Sequence, residues 1–148
     1  MLRATTLLLA SFLLVFGAPA PLLWAVDYLV IDNNGPTGGD GTAGDEFGTI
    51  TEALANAPLA PGDRIVLAAG SYSDVHETFP LNIPEGVTVV GAGVANTTID
   101  AMGASATALI FDNQGALQDL AVLPHAVSTA VLVSGSSIDF SAVRCSFL

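Results

Sequence analysis

The carboxylates best placed to hold a cation lie between residues 32 and 46, where Asp32, Asp40, Asp45 and Glu46 stand among the glycines that lead into "GDGTAGDEFGTITEAL". A hard cation such as calcium takes about 6 to 8 oxygen ligands from a flexible loop. That makes Asp32, Asp40 and Asp45 the candidate metal ligands and calcium the candidate cofactor. The calcium-binding nonapeptide Gly-Gly-x-Gly-x-Asp is met by Gly38, Gly39 and Gly41, but Ala43 stands where its aspartate belongs and Asp45 comes two residues late. The motif also fails to recur, so a solvated loop is the competing reading. His76 and His125 are isolated, with no His or Cys at a metal-ligand spacing. The single cysteine, Cys145, gives no disulfide framework and reads as a small buried thiol.

The charge balance excludes whole classes of partner. There is no lysine; the cations are Arg3, Arg64 and Arg144 against 14 carboxylates, for a formal net charge of -11. Neutralisation of a phosphate backbone is therefore excluded, and with it nucleic acid as a partner. The same surface repels acidic polysaccharides unless divalent cations intervene.

Residues 1–25 carry Arg3, an apolar run over 7–16, and then small residues and prolines, the order of a secretory signal peptide. Cleavage is expected after Ala25, because Pro21 disfavours a cut after Ala20. An uncleaved anchor is the alternative reading, since residues 7–26 are about long enough to span a bilayer, although Gly17, Pro19 and Pro21 interrupt them. The expected location is secreted or cell surface, with no membrane association after cleavage.

The elements that must position these residues are short. Residues 27–32 alternate as a strand, and the Gly/Asp loop follows. Thr49 and Glu52 have the spacing of a capping box, and Ile50, Ala53, Leu54 and Ala57 then share one helical face until Pro58 stops the run. Everything downstream reads as β-branched or aliphatic strands at 65–67, 81–83, 87–90, 97–100, 107–112, 116–123, 129–134 and 137–148, bounded by Gly, Asn, Ser or Pro. No second helix interrupts them, which argues against a doubly wound sheet. Residues 117–122 overlay 142–147 with Leu120 on Cys145, Val122 on Phe147 and Asp119 beside Arg144, as stacked coils would place them.

The order Gly41, Thr42, Phe47, Thr49, Ile50, Ala53, Leu54, then Pro61, Gly62, Asp63, a strand, Gly70 and Tyr72 resembles the N-terminal module of secreted right-handed parallel β-helix proteins. These belong to the pectin-lyase-like superfamily, in a subgroup of undefined function. The resemblance covers residues 28–100, with Glu46 departing from the proline common in the family. It implies an all-β, right-handed parallel β-helix (solenoid) over residues 26–148. A strand, loop and short N-terminal capping helix would occupy 26–60 and the coils 61–148. The helix would seal the open end of the bore through Phe47, Ile50 and Leu54, with the Gly/Asp loop as its flexible approach. Because the chain stops in strand-like "VRCSFL", it is expected to be incomplete at the C-terminus or to meet another chain end to end through its last coil.

Catalysis in such relatives implies either clustered aspartates as general acid and base or a calcium-binding carboxylate cluster with an arginine or lysine base. Asp100, Asp112, Asp119 and Asp139 lie in or beside strands, yet no two are adjacent. Arg144 reads as the partner of Asp119 and Arg64 as a rim charge, so no complete catalytic set is assigned. The expectation is a scaffold or binding module whose partner is a polysaccharide or cell-surface glycan. Tyr72 and Phe79 in the long loops are the candidate aromatic contacts. The rival readings are the N-terminal part of a polysaccharide lyase or hydrolase, with its active site on further coils, and a self-assembling surface protein. Asn96-Thr97-Thr98 also fits a glycosylation acceptor.

Overall fold

The computed structural model describes residues 24–32, 35–104 and 107–148. The leader expected at 1–25 lies outside them except for Trp24 and Ala25. The described elements are β1 (Asp27–Val30), α1 (Ile50–Asn56), β2 (Arg64–Leu67), β3 (Gly70–Ser73), β4 (Leu81–Ile83), β5 (Val87–Val90), β6 (Thr97–Asp100), β7 (Leu109–Gln118), β8 (Ala121–Leu123), β9 (Val131–Val143) and β10 (Ser146–Phe147).

Every pairing between these strands is parallel. β1, β2, β5 and the second halves of β7 and β9 stack as a first face. β3, β6, β8 and β10 form a second, and β4 with the first halves of β7 and β9 a third. Each coil crosses the faces in turn and returns one strand spacing on, about 4.8 Å. The protein is a parallel β-solenoid of about three turns.

Period-two alternation decides what fills the bore. Ile65, Leu67, Val87, Val89, Ile99, Leu109, Phe111, Leu117 and Val122 point inward and are buried, while Thr88, Asn82 and Gln118 take the intervening outward positions. Phe111 and Phe140 meet in adjacent coils with ring centroids 5.0 Å apart. The corners need backbone that turns without a loop. Asn113, Asp119 and Arg144 supply it with φ of 57°, 56° and 49°. This is the left-handed region, which Asn and Asp tolerate best. Strand breaks therefore differ from those expected. The run 116–123 is cut at Asp119, whereas β7 and β9 pass through the corner between the third and first faces, β7 with an irregularity between Asp112 and Gln114. Gly70, expected to end a strand, begins β3, and only glycine fits there because a side chain would collide with Asp32.

The first coil is closed on all three faces. On the first, Leu29 N–H donates to Gly41 O at 2.8 Å, Phe47 N–H donates to Leu29 O at 3.0 Å and Ile31 N–H donates to Phe47 O at 2.9 Å, so the loop occupies the outer edge of β1. On the second, Asp32 Oδ2 accepts from Ser71 N–H at 2.9 Å. On the third, α1 packs beside β4, with Ile50 and Ala53 buried and Leu54 only half-buried. Without these covers the parallel edges of the first coil would template association.

The expected capping box forms in altered form. Thr49 Oγ1 accepts from Glu52 N–H at 3.0 Å, but the Glu52 carboxylate reaches past Thr49 to Gly48 N–H at 2.8 Å, Thr37 N–H at 3.0 Å and Gly38 N–H at 2.6 Å. The Gly/Asp loop is thus pinned at both ends by one buried carboxylate, which corrects its reading as a flexible approach.

Candidate functional site

The outward row of the third face is bordered by open hollows. Strand register sets Asn82 beside Ile110 and Ile110 beside Leu132, because each follows or precedes buried neighbours such as Leu81, Ile83, Leu109 and Phe111. Two adjoining hollows share Asn82. One, of about 320 Å³, lies between α1 and β4 against Thr51, Leu54, Thr78 and Pro80. The other, of about 430 Å³, runs over Ile110 to Pro84, Asp112 and Ser134. Together they make a shallow groove that crosses the coils along the solenoid axis, floored by aliphatic side chains and edged by hydroxyl, amide and carboxylate groups.

The polar groups of this groove are unequally committed. The Thr51 hydroxyl donates to Glu77 Oε2 at 2.6 Å and accepts from Thr78 N–H at 2.9 Å, so it is spent on structure. Asn82 Nδ2 donates to Pro80 O at 3.2 Å, which turns Oδ1 outward as an acceptor. Asp112 is exposed and is the only charged side chain in the lining. The guanidinium groups of Arg64 and Arg144 lie elsewhere. Arg64 pairs with Asp27 through Nε at 2.7 Å and Nη2 at 2.5 Å, and Arg144 pairs with Asp119.

Each sequence candidate has a definite place. Asp32 holds the start of β3, as described. Asp40 Oδ1 accepts from Thr42 N–H at 2.9 Å and Thr42 Oγ1 at 2.6 Å, and these bonds keep its pKa below the usual carboxylate range. Asp45 serves through its main chain, its O accepting from Asp40 and Gly41 N–H at 3.0 Å. Among the described residues no three His, Cys, Asp or Glu side chains gather as a metal centre, so these three candidates are not brought together. Glu46 turns inward on the loop to accept from Gly44 N–H at 2.8 Å.

Tyr72 requires correction as an aromatic contact. It is 2% exposed, in an inward position of β3, and its hydroxyl lies 3.1 Å from both Val30 O and Ala68 O, to which it donates. Burial, followed by the nearby charges of Asp32 and Glu77, raises its pKa far above the usual tyrosine value. Phe79 is half-buried against the core between Thr78 and Pro80, on the flank of the groove and not in its lining.

Two structural carboxylates escaped the sequence reading. Glu77 is 6% exposed and accepts from Ile50 N–H at 2.7 Å and Thr51 N–H at 2.8 Å, capping the first turn of α1 from 26 and 27 residues away. Asp63 accepts from Val26 N–H and Ala60 N–H, both at 2.8 Å, tying the chain before β1 to the turn before β2. Its place in Pro61-Gly62-Asp63 marks a turn, but nothing local marks Glu77.

A solenoid of parallel coils with a helix closing the first one is the architecture of pectin-lyase-like β-helix proteins. Residues 33–142 match the family described as "Protein of unknown function (DUF1565)", and the chain belongs to that family. No curated protein and no solved structure matches the chain.

Proposed function

We propose that this chain is a secreted or cell-surface carbohydrate-binding module that grips a polysaccharide along the groove of the third face. The observation that carries the reading is the Asn82, Ile110, Leu132 row. It sets the amide of Asn82 beside the apolar side chains of Ile110 and Leu132 at the repeat of the coils, about 4.8 Å, on the outward face of the strands. A polymer laid along the solenoid axis can present the C–H face of a sugar to Ile110 and its hydroxyls to Asn82 and Asp112. Sites of this kind combine an apolar floor with a few placed polar groups. The fold itself supplies a rigid scaffold and not a reaction, so the claim rests on the groove.

Secretion follows from the leader pattern of residues 1–25 and is tested by following the chain in a culture: processed protein in the medium or on the cell surface is expected, and retention of the full-length chain inside the cell would oppose it. Binding is tested on a glycan array with the parent and Ile110→Asp, each with and without calcium. Signals that the substitution removes are expected. A flat array for the parent in both conditions would defeat the proposal.

A further inference from the structure

We infer that the groove selects neutral polysaccharides and rejects polyuronates. The inference rests on the carbohydrate reading above and sharpens it. A polyuronate brings a carboxylate with every sugar, and a protein that holds one needs cations, either guanidinium and ammonium groups or metal ions on a carboxylate cluster. Here the arginines of the described coils, Arg64 and Arg144, stand away from the third face, each in a two-pronged pair with Asp27 or Asp119. The groove lining contains no cation, and its one charge is the Asp112 carboxylate. A uronate seated there would meet Asp112 at short range and the field of a chain with net charge -11 at long range, both repulsive.

What the groove offers instead is acceptors. Asn82 Oδ1 and the Asp112 oxygens can each take a sugar hydroxyl, and the Ser134 hydroxyl can give or take one. Ile110 (half-buried) supplies the apolar floor for pyranose C–H groups, and Leu132 (45% exposed) continues its row on the next coil, beyond the lining. Neutral hydroxyl-rich chains satisfy this set without a charge to neutralise, so their binding should not depend on salt or on calcium.

Affinity electrophoresis of the purified chain through gels containing xylan, mannan, a β-glucan, polygalacturonate or chitosan separates the cases. Retardation by at least one neutral polymer is expected, unchanged by salt or chelator, and weakened about tenfold or more by Ile110→Asp. Polygalacturonate should not retard the parent but should retard Asp112→Arg, an exposed substitution outside the core. Retardation of the parent by polygalacturonate, or by chitosan alone with loss in salt, would overturn the inference while leaving a carbohydrate groove standing if Ile110→Asp abolishes it. No retardation by any polymer would overturn the carbohydrate reading itself.

Discussion

Asp119 and Arg144 occupy the same corner of successive coils, both in the left-handed region, and their side chains close a two-pronged ion pair with Nη2 2.6 Å from Oδ2. The bond from Arg144 outweighs the opposing effect of burial and holds the Asp119 carboxyl below the usual range. The Arg144 side chain is 61% exposed. Solvent therefore screens the attraction, and the pair adds little. The conformation of the corner matters more, because a β-branched side chain with positive φ is strained. Asp119→Asn and Asp119→Gly should therefore leave the thermal midpoint close to the parent's, while Asp119→Val should lower it clearly, in low and high salt alike. Melts by circular dichroism check this. A loss for Asp119→Asn as large as that for Asp119→Val would transfer the credit to the ion pair.

Glu52 makes the stability of the first coil depend on acid. Burial pushes its pKa up, but the N–H groups of Thr37, Gly48 and Gly38 with the Thr37 hydroxyl outweigh burial and hold it below the usual value. A carboxyl whose folded pKa is depressed stabilises the fold fully above its unfolded pKa, about 4.3 for glutamate. That contribution is lost as pH falls through the folded value. The chain should lose stability below about pH 4.3, and Glu52→Gln should flatten that limb. Glu52→Ala should cost about 3 kcal/mol near neutrality through buried donors left without an acceptor. Urea titrations across pH for the three proteins measure both effects; an unchanged acid limb in Glu52→Gln would show that other carboxyls set it.

Glu77 is the counterpart of Glu52 on the other side of the helix start. Its oxygens accept from Ile50 N–H, Thr51 N–H and Thr51 Oγ1, while that hydroxyl accepts from Thr78 N–H. Removing the side chain leaves two backbone donors of a short helix without partners. Glu77→Ala should cost about 2–4 kcal/mol, and amide exchange at Ile50 and Thr51 should rise well above that in β5. Equal acceleration throughout the solenoid would mean that the loss is global and not a local opening of α1.

These carboxylates mark where the sequence stops being readable. Strand positions such as 81–83, 87–90 and 97–100 were legible because alternation and bounding turns are local. The stacking of 117–122 on 142–147 was legible because apolar residues fall on apolar ones, and the observed register pairs Leu117 with Ala142 and Val122 with Phe147. Glu77 capping Ile50 was not, since the partners are brought together only by the coil. Tyr72 was misplaced outside because Gly70 read as a break, whereas the chain continues there as β3 and its alternation turns Tyr72 inward. The groove was missed because it needs Asn82, Ile110 and Ser134 from three coils, each looking alone like an ordinary outward residue.

The loop on β1 yields the sharpest test of what the glycines contribute. Gly41 has φ of 83°, its carbonyl takes the Leu29 N–H, and an added Cβ would lie 2.6 Å from Phe47 Cε2 and 3.1 Å from Tyr28 Cδ1. Gly44, in the same loop, has φ of 92° but nothing within 4 Å of such an atom. Both alanine variants carry the backbone cost of a left-handed residue, about 1–2 kcal/mol, yet only Gly41→Ala displaces Phe47 and with it the bonds that cover the edge of β1. An uncovered parallel edge pairs with other chains. Gly41→Ala should therefore elute as larger species as concentration rises, while Gly44→Ala keeps the elution volume of the parent at every concentration. If the two variants associate equally, the cost of positive φ alone accounts for the effect, and the loop does not act as the cover of the edge.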